Sequence, residues 1–432
     1  MSCSLVLPIG TNPLPNYVVA EYLLSKTKIN EIWLVHSEER DVQAGTKEIA
    51  ERLKEVISAR HSDISFKYCS LSNIGNAESI INDIEKNLLE YVTKGNIHFN
   101  YTGGTKPMSV HIYRVIEQSC KFQEKTFSYL DAREFVLKDD KDGIVSEDLR
   151  KEVSISLEEL ITLHGYEKMK EEGNYYWLGA LEIFKKIIDG SKLSEFLDWK
   201  KEVIRKLYYK EGKFIESRQK IQESLDEEKN LFDNHPFKAK VLPLLQAFPE
   251  EHSILNKTGQ SLWTPDNSTS NKYKARVKPA IEFLDGKWLE NYVLMILKDK
   301  IAKEFSGKKV PIECNWKLMR QGGGKDFELD IILLNGYQVC GISCTTDTSE
   351  KLCKMKGFEV LHRVNQMGGE EAKAVLITCL THNHCERGDQ VKILEDDLRY
   401  ETGSEKDKLI VLGIEDLKEE RLWEKIKEHI WG

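Results

Sequence analysis

Apolar and polar positions along the first 130 residues follow two alternating rhythms. Short apolar runs at 4–9, Glu31 to His36, Ile64 to Ser70, 97–101 and Thr126 to Leu130 have the length and β-branched or aromatic content of buried strands. Between them, helical spacing covers Tyr17 to Leu24, Thr46 to Ser58, Ala77 to Tyr91 and Pro107 to Ser119. Strands alternating with helices of this length predict βαβ crossovers and a parallel sheet covered on both faces. In such sheets ligands lie at the carboxyl ends of the strands. The loops after the first strand and after 97–101 can meet there.

The pattern then changes. Residues 133–155, with the turn-rich run Lys138 to Gly143, predict a terminal hairpin, and Ser154 to Leu160 carries a serine cap with carboxylates in its first turn. From there to about residue 250 the spacing is helical and heavily charged, with Trp177, Leu178, Leu181, Phe184 and Ile187 on one stripe. No fixed-period repeat runs through it, so a helical connector is expected over 151–278, ending in an exposed polar loop at 255–275. The last unit, 279–432, opens with a helix from Pro279 to Phe305 that buries Trp288, Leu289, Tyr292, Val293 and Ile296. Strands follow from Pro311 to Arg320, Phe327 to Leu334 and Tyr337 to Cys344, with a Gly322-Gly323-Gly324 turn and an Asn335-Gly336 hairpin signal between them. A helix from Glu350 to Met367, strands at Ala374 to Cys379 and Leu409 to Leu412, and a terminal helix complete a mixed α/β unit.

At 432 residues, 40% hydrophobic and 31% charged, the chain has room for two or three domains. No run approaches the apolar length of a membrane span and the N-terminus begins a strand, so a cytoplasmic protein is expected. Cysteines 3, 69, 120, 314, 340, 344, 353, 379 and 385 are scattered without a CxxC pair and read as reduced, mostly core residues. A net charge of −8 excludes a wholly basic nucleic-acid coat but leaves room for a local basic groove.

Three stretches carry candidate chemistry. In 97–109 an apolar strand runs into Thr102-Gly103-Gly104-Thr105-Lys106 and a helix opening at Pro107. Glycines permit close backbone approach, and the free N–H groups of a helix start attract anions, so this turn suits phosphate. The Walker A spacing is absent. In the second stretch, Asp330 interrupts the strand 328–334, where a carboxylate is costly unless it meets a cation. Glu290 lies on the preceding helix, and Ser343 and Thr345 stand two apart on the far arm of the hairpin, where a phosphodiesterase would carry a metal ligand and a lysine. In the third, Lys356, Glu359 and Arg363 share one face of the next helix. Elsewhere the bland readings hold. Thr381 to Cys385 lacks zinc spacing and reads as a loop, and Ser343 lacks a nucleophile elbow. Trp177, Trp263 and Trp288 read as packing residues, His36 and His98 as core.

With these motifs in view, the chain resembles the CARF-domain nucleases that accompany type III CRISPR systems. The loop Gly10-Thr11-Asn12 and the run Asn100 to Met108 look like the two ligand-facing motifs of the Rossmann-like CARF domain, here spanning 1–150. The resemblance implies a homodimer that binds a cyclic oligoadenylate, cyclic tetra-adenylate favoured, through Gly10, Thr11, Asn12, Thr102, Gly103, Gly104, Thr105 and Lys106. Residues 280–380 are similar to the PD-(D/E)xK nuclease fold. Glu290 and Asp330 match its helix glutamate and strand aspartate, while its ExK element falls on Ser343-Cys344-Thr345. Some members of that fold take a glutamate from the following helix. By that resemblance Glu359 would join Asp330 in holding magnesium or manganese, with Lys356 or Lys354 as the lysine. The implied activity is activated cleavage of RNA or DNA by hydrolysis, with no membrane partner. A sensor that grips nucleic acid without cutting it is the alternative.

Overall fold

A computed structural model describes residues 3–40, 43–92, 95–169, 176–228, 230–263, 269–321, 323, 327–405 and 407–432. Its N-terminal sheet has the order β3-β2-β1-β4-β5-β6-β7, from β1 (Cys3–Pro8), β2 (Ile29–Ser37), β3 (Ser65–Leu71), β4 (Asn96–Asn100), β5 (Glu124–Asp131), β6 (Val136–Asp139) and β7 (Gly143–Ile144). The first five are parallel, and β6 and β7 are the expected hairpin added antiparallel at one edge. Helices α1 (Leu14–Lys26) and α2 (Lys47–Arg60) cover one face, α3 (Ala77–Ile84) and α4 (Lys106–Gln118) the other. This is the Rossmann-like arrangement that the alternating rhythm predicts. His36 and His98 are buried in it; burial pulls the His98 imidazole down to about 4, and its Nε2 lies 2.7 Å from Ser128 Oγ.

The C-terminal sheet is mixed, in the order β15-β14-β13-β12-β11-β8. Its strands are β8 (Tyr166–Lys168), β11 (Ile312–Arg320), β12 (Phe327–Asn335), β13 (Gln338–Cys344), β14 (Lys373–Ile377) and β15 (Leu409–Leu412), while β9 (Tyr209–Lys210) and β10 (Lys213–Phe214) form a separate ribbon. Gly336 takes φ +64 in the hairpin between β12 and β13, as the Asn-Gly pair requires. Gly322 and Gly324 of the expected glycine turn lie outside the described residues.

Two expectations need correction. The stretch 151–278 is not a spacer. β8 pairs with β11 in the C-terminal sheet, and Trp177, Phe184, Phe196 and Trp199 share one apolar core with Trp288, Tyr292, Ile331 and Ile342. At about 2 kcal/mol for each large side chain buried, that core binds the helical segment firmly to the sheet. The exposed loop at 255–275 is also shorter than expected: a helix starts at Ser270, capped by Thr269, whose Oγ1 accepts from Lys272 N at 3.4 Å. It runs through Pro279 and a π-turn at Phe283–Lys287 into the helix Trp288–Glu304. Residues 264–268 of that loop lie outside the described residues.

A second core joins the two halves. Leu5, Leu7 and Val19 of the N-terminal unit belong to the same buried cluster as Trp316, Val360 and Leu376 of the C-terminal one. Among the described residues no helix is long and apolar enough to cross a membrane.

Candidate functional site

The N-terminal candidate is built where β1 and β4 end side by side. A Cβ on Gly103 would lie 2.2 Å from Pro8 O and 2.4 Å from Asn16 Oδ1, so only glycine lets the two loops close. Gly104 takes φ +75, a backbone that other residues avoid, and a Cβ on Gly10 would come within 3.1 Å of Gly104 N. Thr105 caps α4 by accepting Met108 N at 3.5 Å, leaving Thr105 and Lys106 exposed at the open start of that helix.

The remaining predicted residues divide. Thr11 is exposed beside this cradle, whereas Thr102 Oγ1 accepts from Leu130 N at 2.7 Å and braces β5. Asn12 Oδ1 accepts from Leu14 N at 3.0 Å. One residue escaped the sequence reading. Asn16 is fully buried behind Gly103, where its Nδ2 donates to Pro8 O at 3.1 Å and its Oδ1 has no partner. Its place in a dense turn cluster hid it.

The C-terminal candidate is a cavity of about 1050 Å³ between the helix Ser270–Glu282 and the ends of β11 to β13. Lys274, Lys278, Lys287, Lys317 and Arg205 line it, as do Glu290 and Thr345. Lys200, buried, fixes one wall by donating to Asp285 O and to Thr346 Oγ1, each at 2.9 Å.

Beside it lies Asp330. Its Oδ2 accepts from Ser343 Oγ at 2.9 Å and from Cys344 N at 2.7 Å. Burial still pushes its carboxyl above the usual aspartate range. Glu290 is pushed up to about 7, by burial first and by the Asp330 charge second. Lys287 answers them: its Nζ stands 2.9 Å from Glu290 Oε2, 3.2 Å from Oε1 and 3.0 Å from Asn315 Oδ1. Burial works to lower that ammonium, but Glu290 outweighs it and the group stays above the ordinary lysine value.

The helix Glu350–Gly368 supplies less than expected. Lys356 Nζ pairs with Glu359 Oε2 at 3.1 Å, both side chains partly exposed; burial works to lower this ammonium too, and the nearby Asp330 charge, with Glu359, raises it overall. Lys354 points elsewhere, to Asp397 at 3.0 Å and Glu401 at 2.7 Å. Arg363 stacks over Phe327. Among the described residues no group of three or more His, Cys, Asp or Glu is arranged to hold a metal. The acids brought together are Asp330 and Glu290. Two buried carboxylates, one raised in part by the charge of the other, suit magnesium or manganese, because such ions bind through one or two carboxylates and complete their shells with water and substrate phosphate.

The loop Thr381 to Cys385 is a structural latch. His382 reaches Asp389 at 2.9 Å and Asp416 at 2.8 Å, and Asp416 also accepts from Arg421. Trp177 stacks on His252 and Trp288 on Phe184, as packing residues do.

Residues 5–160 match the family described as the Card1 CARF domain. The N-terminal unit is a CARF domain. The cradle at Gly10 and Gly103-Gly104 therefore sits at the carboxyl edge of a CARF sheet. No curated protein matches the chain in sequence. Among solved structures, protein VC1899 from Vibrio cholerae is 16% identical with TM-score 0.63, covering 99% of this chain and 98% of its own. Can2 from Sulfobacillus thermosulfidooxidans, solved with cyclic tetra-adenylate, is 13% identical with TM-score 0.60, covering 98% and 99%. Both share the fold along the whole length of the chain, CARF domain and C-terminal unit together.

Proposed function

We propose that this chain is a cyclic-oligoadenylate sensor of type III CRISPR defence, acting in the cytoplasm, whose C-terminal cleft hydrolyses single-stranded RNA or DNA. The observation that carries the hydrolytic half is the pair Asp330 and Glu290, buried together beside a cation-lined cavity in the unit fused to a CARF domain. The sensing half is supported by the CARF match and by Can2, solved in complex with cyclic tetra-adenylate.

Ring phosphates meet the amides of Gly103 and Gly104, the Lys106 ammonium and the start of α4. A ring of four equal nucleotides is symmetric, so two CARF domains facing across an axis offer it the same cradle twice, and a homodimer is the proposed working form. The ligand acts by binding one arrangement of the dimer better than another.

In the cleft, Asp330 and Glu290 would hold magnesium or manganese, with Glu359 reaching in through Lys356. When bound, the metal supplies a water of lowered pKa and charge to oppose the phosphate. Ser343 and the Cys344 amide hold the Asp330 carboxylate in place. Lys274, Lys278 and Lys317 line the path of the phosphate backbone. The rival reading, a regulator that grips nucleic acid without cutting it, is favoured by Ser343 and Thr345 standing where ExK nucleases carry Glu and Lys.

Purified protein incubated with labelled single-stranded RNA and DNA, manganese and cyclic tetra-adenylate tests the proposal. Cleavage that is lost in chelator and in Glu290→Gln supports it. Retarded mobility of the oligonucleotide with no cleavage favours the regulator.

A further inference from the structure

We propose that Lys287 is the cation that meets the scissile phosphate, replacing the lysine that the Ser343-Cys344-Thr345 strand lacks. The inference deepens the hydrolytic reading above and rests on it for the word scissile, though the contact to phosphate is testable without cleavage.

Position is the first argument. Lys287 lines the cavity, stands 2.9 Å from Glu290 and feels the charge of Asp330. Every other cation of the cavity wall answers a different acid. Arg205 pairs with Asp285 at 2.9 Å, Lys274 with Glu216 at 2.5 Å, Lys278 with Glu282 at 3.5 Å and Lys317 with Glu328 at 3.3 Å. Lys356 is committed to Glu359 and does not line the cavity.

Local backbone geometry is the second. The regular helix gives way to a π-turn at Phe283–Lys287, and Lys287 is its last residue. Such turns re-aim side chains and recur at functional sites. Opposite, Asn315 adopts φ +49 inside β11, and its Oδ1 accepts from Lys287 Nζ at 3.0 Å. Two departures from regular structure, on elements distant in sequence, thus converge on one ammonium.

Hydrogen-bond arithmetic is the third. An ammonium has three protons. Glu290 and Asn315 take two, with the second Glu290 oxygen sharing, which leaves one for a phosphate oxygen. The Lys287 side chain is 28% exposed, open enough to receive it.

The test uses full-length protein with cyclic tetra-adenylate and Lys287→Met, which keeps the aliphatic stem. Fluorescence anisotropy of a labelled single-stranded oligonucleotide in EDTA is expected to show at least about fivefold weaker binding. The log–log salt dependence should flatten by about 0.7, one phosphate contact on a single strand. In manganese, kcat should fall about 100-fold or more, with Lys287→Arg recovering part of the binding. Should Lys287→Met fail to fold, Lys287→Gln carries the same measurements. Unchanged affinity with an unchanged salt slope overturns the assignment. If the wild-type protein does not cut, the hydrolytic reading falls, and the EDTA measurement alone decides whether Lys287 touches phosphate.

Discussion

Asn12, in the loop that follows β1, packs its amide against Gly369, the residue that ends the helix Glu350–Gly368. A Cβ at Gly369 would come within 2.6 Å of Asn12 Nδ2, and Gly369 takes φ +69. A loop beside the CARF cradle therefore touches the element that carries Lys356 and Glu359. Arg150 makes a second junction, donating to Gln338 Oε1 at 3.2 Å, and the shared core with Leu5 and Val360 makes a third. The helical segment is thus not the sole route by which ligand binding can reach the cleft.

From this junction follows a hydrogen-exchange result. Cyclic tetra-adenylate should slow amide exchange in the CARF loops and also in the helix Glu350–Gly368 and at Gly369–Glu371. Protection confined to 5–160 would contradict direct coupling.

Gly103 is the most sterically constrained residue of the cradle. In Gly103→Ala the new methyl meets Pro8 O at 2.2 Å, so the β1 and β4 loops must separate. A stability loss of about 2 to 3 kcal/mol is expected, read as a fall in Tm. The rise in Tm on adding cyclic tetra-adenylate should vanish with it. A variant that keeps the wild-type ligand shift would show that the tight turn is not part of the site.

Glu371 gives a pH signature. Burial raises its carboxyl to about 8, whereas in the unfolded chain it ionises near about 4.3. Between those values the folded protein binds more protons than the unfolded one, so stability falls as pH rises through that window. Glu371→Gln keeps the shape and removes the titration. The Tm of the variant should therefore gain on that of the wild type between about pH 5 and about pH 8. Parallel curves would show that the carboxyl ionises freely in the fold.

Much of this was written in local pattern. Apolar runs and helical spacing specify the parallel sheet, Thr105 and Pro107 specify the start of α4, and Asn335-Gly336 specifies the β12–β13 hairpin. Three things were not local. Tyr166–Lys168 is too short and polar to announce a strand, and it becomes one only because β11 offers it an edge. The helix from Ser270 hides behind polar residues, although Tyr273, Val277, Ala280 and Ile281 keep helical spacing. Lys287 reads as one half of an ordinary i,i+3 ion pair with Glu290 until the bent backbone at Asn315, distant in sequence, brings it a second partner at the cavity wall. The acids Asp330 and Glu290 were visible, because a carboxylate amid core residues demands a cation.

The most direct test compares wild-type protein and Asp330→Asn on labelled single-stranded RNA and DNA in manganese, each with and without cyclic tetra-adenylate. Activated hydrolysis at Asp330 predicts fragments only from wild type with the cyclic nucleotide present. Equal cutting in its absence, undiminished cutting by Asp330→Asn, or intact substrate in all four reactions would contradict it.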